Sequence, residues 1–150
     1  MKFLCDIMVQ KLGRLLILSG FDTHIIKTPI QIDEICRIAQ KEDRVILTRN
    51  TKIKSENISY LILIEQNPYQ QFKKVIKHFN LKLDEKNFFQ RCSYCNEELK
   101  IIEKDEKIDK IPPLTRQNVN IFYVCPMCKK IYWKASHLDL FKKNLLNKLR

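Results

Sequence analysis

The sequence predicts an α/β domain built on a parallel sheet in three layers, followed by a small metal-stapled domain and a C-terminal helix. Two observations carry this prediction. In residues 1–86, short apolar runs alternate with segments of helical spacing, which is typical of a parallel sheet covered by helices. In residues 87–150, two Cys-x-x-Cys pairs stand 29 residues apart. We therefore expect two domains, over 1–86 and 87–150.

Four apolar runs are expected to form the strands, over residues 2–5, 23–27, 44–47 and 59–64. Helical spacing predicts a first helix over 7–19, which Gly20 should end. A second helix should have Asp33 as its N-cap, and a third should open at Pro68. Because parallel sheets are covered by helices on both faces, these elements should form three layers.

Polar side chains stand where two of these strands end. Asp6 follows the first strand, and Thr48, Arg49 and Asn50 follow the third. In open α/β sheets, ligands bind beyond the carboxyl ends of the strands. The carboxylates of Asp6 and Asp33 could hold Mg²⁺ or Mn²⁺ there and activate a water against a phosphodiester. Each of the two is also open to a simpler interpretation, as a helix cap.

The net positive charge of the chain indicates the kind of partner that it binds. It carries 28 Lys and Arg against 17 Asp and Glu, a formal net charge of +11. This excess favours a polyanionic partner, most simply nucleic acid. Lys11 and Arg14, three residues apart on the first helix, and Arg49 could bind phosphates or stabilise a developing oxyanion. A solvated basic face, in a proteome of generally basic proteins, is the alternative.

The two cysteine pairs predict a zinc site. Two Cys-x-x-Cys turns supply four thiolates to one tetrahedral ion, and the four residues are Cys92, Cys95, Cys125 and Cys128. Four thiolates leave no position for water, so the zinc should be structural; a redox dithiol is the rival interpretation. Three aromatic residues near the pairs could stack RNA bases or pack on the zinc site: Tyr94, Tyr132 and Trp133.

The cysteine content and the hydropathy of the sequence indicate the cellular compartment in which the protein is expected. Six cysteines in a cytosolic protein indicate metal binding rather than disulfides, and Cys5 and Cys36 are expected in the core. No signal peptide is visible, and no apolar run reaches the roughly 18 residues that a membrane span needs. We expect a cytoplasmic protein with no membrane partner.

Several segments together follow the pattern of one family: residues 2–16, 20–23, 33–35, 44–50, 91–96, 125–133 and 136–137. The chain resembles the PIN-like RNase domain with a C-terminal zinc ribbon, the Mut-seven C-terminal RNase family. The resemblance covers nearly all 150 residues. It implies a PIN-like fold in the first domain, a zinc ribbon and helix in the second, and metal-dependent cleavage of RNA.

The resemblance also implies a site. Asp6 matches the family's first acidic position and Asp33 its second, whereas Asn50 stands where a third acid is expected. An Asn can ligate a cation through its carbonyl oxygen but carries no charge, so the affinity for Mg²⁺ should be weaker. Two functions follow: an endoribonuclease with structural zinc and catalytic Mg²⁺ or Mn²⁺, or a non-catalytic RNA-binding protein with a degenerate site. The toxin half of a toxin–antitoxin pair is a third, weaker hypothesis.

Overall fold

A computed structural model describes residues 1–102 and 111–150, with the side chains of Ser136 and His137 left outside the description. The charged stretch of the sequence over 97–110 lies partly outside these residues. The chain forms two compact units, Met1–Phe89 and Gln90–Arg150. No helix in the described residues is long and apolar enough to cross a membrane.

The first unit is built on a sheet of four parallel strands, β1 (Phe3–Cys5), β2 (Thr23–Ile25), β3 (Val45–Thr48) and β4 (Tyr60–Ile62). Their order across the sheet is β2-β1-β3-β4. From β1 the chain passes to β2 on one side, then crosses to β3 on the other side of β1 and continues outward to β4. The carboxyl ends of β1 and β3 lie side by side at this reversal, which is the topological switch point where such sheets bind ligands. The expected parallel sheet is confirmed.

Three helices cover the sheet, α1 (Gln10–Leu18), α2 (Ile32–Glu42) and α3 (Pro68–His78). A 3-10 turn, Ile7–Val9, precedes α1, so the α-helix begins three residues later than the sequence predicted. The cause is local: Asp6 caps the turn through the N–H of Met8, and Val9 leaves the helical region with φ −125° and ψ 30°.

Successive residues of a strand face opposite sides of the sheet, and this divides the first unit into two cores. On one face, Leu4 and Ile46 pack with Ala39 of α2 in one apolar cluster. On the other face, the ring of Phe3 lies 6.2 Å from that of Phe21 and 5.7 Å from that of Phe79, next to α1 and α3. The unit therefore has three layers, with α2 on one side and α1 and α3 on the other.

The structure corrects the expected start of α2. Asp33 is not the N-cap; the cap is Gln31, whose extended backbone (φ −69°, ψ 153°) lets its carbonyl accept the N–H groups of Glu34 and Ile35 at 3.1 Å. Asp33 is instead the second residue of the helix, where its negative charge interacts favourably with the helix dipole. By contrast, Pro68 opens α3 as predicted, after Asn67 as the N-cap.

The second unit contains a separate antiparallel sheet of three strands, β5 (Lys100–Ile102), β6 (Phe122–Val124) and β7 (Ile131–Trp133), in that order. Its helices are α4 (Pro113–Asn118) and α5 (Ser136–Leu149). Few large side chains among the described residues of this unit are fully buried, and of these Phe122 and Leu145 have no exposed surface.

Gly20 ends α1 as predicted, and its surroundings explain why the residue is a glycine. Its φ is +93°, and two hydrogen bonds, Gly20 N–H to Ile17 O (3.0 Å) and Phe21 N–H to Leu16 O (2.9 Å), form a Schellman cap. A Cβ at this position would lie 2.6 Å from the backbone oxygen of Asn87. Both the left-handed backbone and the crowding therefore exclude a side chain.

Replacing Gly20 with Ala is expected to lower the free energy of unfolding by about 1–3 kcal/mol, because the new Cβ meets both a strained φ and a backbone atom. Urea unfolding monitored by circular dichroism measures the change. Asn80→Gly is the matched control, since Asn80 ends α3 with φ +49° in the same kind of cap and should tolerate glycine within a few tenths of a kcal/mol. An unchanged urea midpoint for Gly20→Ala would contradict the expectation.

Candidate functional site

Asp6 lies at the topological switch point, directly after β1 and beside the end of β3. Its backbone N–H donates to the carbonyl of Leu47 (3.2 Å). In its side chain, Oδ1 accepts the N–H of Met8 at 2.9 Å, and Oδ2 accepts the hydroxyl of Thr48. The residue is only 3% exposed. A carboxylate is thus fixed in a buried place between the ends of the two central strands.

Burial raises the pKa of the Asp6 carboxyl group, because removing a carboxylate from water disfavours its charged form. The hydrogen bonds from Thr48 and Met8 favour the charged form and offset this effect in part. Carboxylates with a perturbed pKa are common at functional sites, where a cation or a proton compensates the charge.

Thr48 connects Asp6 to Asn50. The Thr48 hydroxyl donates to Asp6 and accepts the backbone N–H of Asn50 at 2.9 Å. The side-chain oxygen of Asn50 accepts the N–H of Lys52 at 2.9 Å, which closes an Asx turn. The structure therefore links the carboxylate of Asp6 to the backbone of Asn50, through a threonine that the sequence indicated only as a polar residue at a strand end.

Asp33 lies at the same edge of the sheet, since α2 follows the carboxyl end of β2. Its side chain is exposed, and within the described part of the chain no hydrogen bond joins it to Asp6. The two acids therefore differ in character. The Asp6 carboxylate is buried and accepts hydrogen bonds from Thr48, Met8 and Val9, whereas Asp33 is a first-turn helix residue in contact with solvent.

The three predicted phosphate-binding residues differ in exposure and in their partners. Lys11 and Arg14 are exposed on α1, and neither forms an ion pair with any residue that the structure describes. Arg49 is half-buried, directly after β3, and its Nε–H is buried without a hydrogen-bond partner among the described residues. A buried donor without an acceptor is costly, whereas the guanidinium as a whole has five N–H donors and is suited to an anionic oxygen.

In the second unit, the four predicted cysteines converge. The sulfur atoms of Cys92, Cys95, Cys125 and Cys128 all lie within 4.8 Å of one another. This is the only such group of three or more His, Cys, Asp or Glu residues in the described ranges, 1–102 and 111–150. Four sulfurs at this spacing could hold a structural metal such as zinc.

The two Cys-x-x-Cys turns have the same backbone structure. In each, the fourth residue donates its N–H to the first sulfur, at 3.4 Å in the turn from Cys92 and 3.5 Å in the turn from Cys125. The fifth residue, Asn96 or Lys129, has φ near +60° and donates to the carbonyl of the first cysteine, at 2.8 and 2.9 Å. These N–H···S contacts orient the sulfurs and stabilise them as thiolates.

Without a metal ion, four close sulfurs cannot all be ionised. Burial and the neighbouring sulfurs raise the pKa of the Cys95 thiol to about 12. At Cys92, burial also acts to raise the pKa, but the hydroxyl of Tyr132 at 3.0 Å and nearby backbone N–H groups lower it to about 7. A divalent cation removes this conflict by displacing the protons, and the donor set therefore fits zinc.

The sequence model of the family described as "Mut7-C RNAse domain" matches residues 1–145. The chain belongs to this family. Among curated proteins, this Mut7-C domain is similar to the human protein named "Exonuclease mut-7 homolog", with 30% identity over 144 residues. The match covers 92% of the chain but 14% of the human protein, so the chain spans a small part of that relative. No solved structure gives a significant match.

Thr48→Val should raise the pKa of Asp6 further, because the substitution removes a donor that favours the charged carboxylate. The titration of the Asp6 carboxyl carbon by NMR measures this pKa. Thr48→Ser keeps the hydroxyl and should leave the pKa close to that of the unmodified protein. An Asp6 pKa that does not respond to Thr48→Val would show that this hydrogen bond does not stabilise the charge.

Cys92→Ser should abolish stoichiometric zinc binding and lower the melting temperature, because the site loses one of four thiolates. Zinc content after dialysis, measured by atomic emission, tests this. Cys36→Ser is the matched control, since Cys36 lies in the first unit and belongs to no metal cluster in the described chain. Zinc retained at one ion per chain by Cys92→Ser would contradict the assignment.

Proposed function

We propose that this chain is a metal-dependent endoribonuclease of the PIN-like type. Residues 1–86 would form the catalytic domain, and residues 87–150 the zinc ribbon with its helix. The position of Asp6 carries the proposal: a buried carboxylate stands at the switch point of a parallel sheet, in a member of a family of RNase domains. The natural partner is RNA, and the net charge of +11 is consistent with it.

The residues around Asp6 fit a weakly bound divalent cation. A carboxylate has about four lone-pair sites, so the hydrogen bonds from Thr48, Met8 and Val9 leave room on Asp6 for a cation. Mg²⁺ is commonly bound through one or two carboxylates, with water and substrate phosphates completing its shell. Asp6, Asp33 and the amide oxygen of Asn50 would be the protein ligands. When bound, the cation would polarise a phosphoryl oxygen and lower the pKa of a water molecule.

Basic side chains of the protein would bind the RNA substrate. Arg49 directly follows β3 and precedes Asn50, and its half-buried guanidinium would bind a phosphate oxygen there. A guanidinium there would also stabilise charge that develops on the phosphoryl group. Lys11 and Arg14, exposed on the helix that follows Asp6, would bind neighbouring phosphates and set the direction of the strand.

One observation favours a second candidate, a non-catalytic RNA-binding protein. Asn50 stands at the position of the third acid, and its side-chain oxygen already accepts the N–H of Lys52. A residue that closes a turn and carries no charge contributes little to the binding of a cation. The printed name of the human relative, an exonuclease, offers a further alternative for the mode of cleavage.

A covalently closed circular RNA separates these possibilities, because it has no end for an exonuclease. With Mn²⁺, the zinc-loaded protein should cleave the circle, and Asp6→Asn should slow cleavage at least about 100-fold. Asn50→Asp should lower the Mn²⁺ concentration needed for half-maximal rate. Gel analysis of the linear product measures the cleavage rates of the unmodified protein, Asp6→Asn and Asn50→Asp.

Asp84→Asn is the matched control for Asp6→Asn. Asp84 caps the second 3-10 turn of the first unit through the N–H of Lys86 at 2.9 Å, as Asp6 caps the first, but it is exposed. Its substitution should leave cleavage unchanged. Cleavage of the circle that survives in Asp6→Asn would contradict the proposed site. Cleavage by Asn50→Asp alone would identify the non-catalytic protein, and degradation of linear RNA only would indicate an exonuclease.

A further inference from the structure

We propose that the tips of the two Cys-x-x-Cys turns form a platform on which one unpaired RNA base stacks. Tyr94 supplies the ring, and Lys129 and Lys130 bind the adjacent phosphates. This inference rests on the proposed function to the extent that the partner is RNA. It adds that the second unit binds single-stranded RNA, at a surface that does not include Asp6.

The structure separates the three aromatic residues near the zinc site. The hydroxyl of Tyr132 lies 3.0 Å from the sulfur of Cys92, so this residue belongs to the metal centre. The ring of Trp133 packs edge-on against Phe122, with 6.3 Å between the ring centroids. Both are partly buried, whereas Tyr94 is 61% exposed. Tyr94 is therefore the ring that a base can cover.

The first turn presents this ring at low entropic cost. Tyr94 lies between Cys92 and Cys95, and the turn is closed by the N–H of Cys95 on the Cys92 sulfur (3.4 Å). Metal binding at the two cysteines would fix the loop further. A ring held in place before binding loses little conformational freedom when a ligand stacks on it.

The second turn contributes a cation to the ring of the first. The Nζ of Lys130 lies over the ring of Tyr94, 5.8 Å from its centroid, and the preceding residue, Lys129, is exposed. Met127, at the tip of the second turn, is 65% exposed. An exposed ring with adjoining cations is the arrangement by which proteins bind single-stranded nucleic acid, with bases on the ring and phosphates on the cations.

The charge of the surroundings favours a polyanion. Residues 90–150 carry 13 Lys and Arg against seven Asp and Glu. Of the acids near the first turn, Glu98 is paired with Arg91 at 3.1 Å, and Glu97 is exposed. An A-form duplex hides the faces of its bases, so a surface built around an exposed ring fits an unpaired strand.

The test uses the full zinc-loaded chain and a 12-nucleotide single-stranded RNA that contains one 2-aminopurine. No Mg²⁺ or Mn²⁺ and no chelator is added, so binding is measured without cleavage and with zinc in place. Tyr94→Ala should weaken binding about tenfold and abolish the quenching of 2-aminopurine that stacking produces. Tyr94→Phe, which keeps the ring, should retain both. Leu114→Ala, at a 74% exposed position of the same unit, is the control for loss of an exposed side chain.

A second measurement separates stacking from charge. Lys129→Gln and Lys130→Gln should each reduce the slope of log affinity against log salt by about 0.7, whereas Tyr94→Leu should leave the slope unchanged and remove the quenching. Zinc content is measured for every variant, and Tyr94→Leu replaces Tyr94→Ala if the latter loses zinc.

Unchanged affinity and quenching in the Tyr94 variants would overturn the proposal, whatever the outcome of the cleavage assays. A Glu-rich peptide of 12 residues that binds as tightly as the RNA, with the same dependence on Tyr94, would also overturn it in favour of a protein partner. Binding of a duplex RNA with equal dependence on Tyr94 would contradict the preference for an unpaired strand. If the platform is confirmed and no RNA is cleaved, the chain is the non-catalytic binding protein described above.

Discussion

The hydrogen bond between Asp6 and Thr48 links the two central strands at the point where the sheet reverses its order. The geometry of the candidate site depends on it. Thr48 is the last residue of β3 and is 2% exposed, so its hydroxyl has no access to bulk solvent and must find a partner in the protein. That partner is the carboxylate that follows β1. Because the same hydroxyl receives the N–H of Asn50, the strand ends and the following turn are held in one arrangement.

The second unit depends on a different constraint. In the part of this unit that the structure describes, the strands are three residues long and few large side chains are fully buried, so apolar burial there forms a small core. The two equivalent turns compensate by directing four sulfurs at one point. The N–H···S contacts and the Tyr132 hydroxyl lie directly around those sulfurs, so metal binding and the local fold should be stabilised together. The side chains at the tips of the two turns, Tyr94 and Met127, are exposed.

The sequence predicts most of this architecture because its strongest signals are local. Apolar runs, the glycine at 20, the proline at 68 and the cysteine spacing each specify a short segment, and the structure confirms these segments. It does not predict features that arise between distant segments. Asp33 was expected as a cap because its residue type suits one, yet the path of the chain from β2 places Gln31 there. The partnership of Asp6 with Thr48 joins residues 42 positions apart, and no local pattern encodes it.

The electrostatics of the site give Asn50 a physical rationale. Because burial raises the pKa of Asp6, its charge opposes folding above that pKa: stability is fully present at low pH and declines as pH rises through the folded-state value. A second carboxylate at position 50, tied to Asp6 through Thr48, would add a like charge and raise this cost. A bound cation would remove the cost, and a site with three acids gains more from the cation than a site with two. Asn50 therefore favours the metal-free fold, and in the proposed nuclease it would also weaken the binding of a divalent cation.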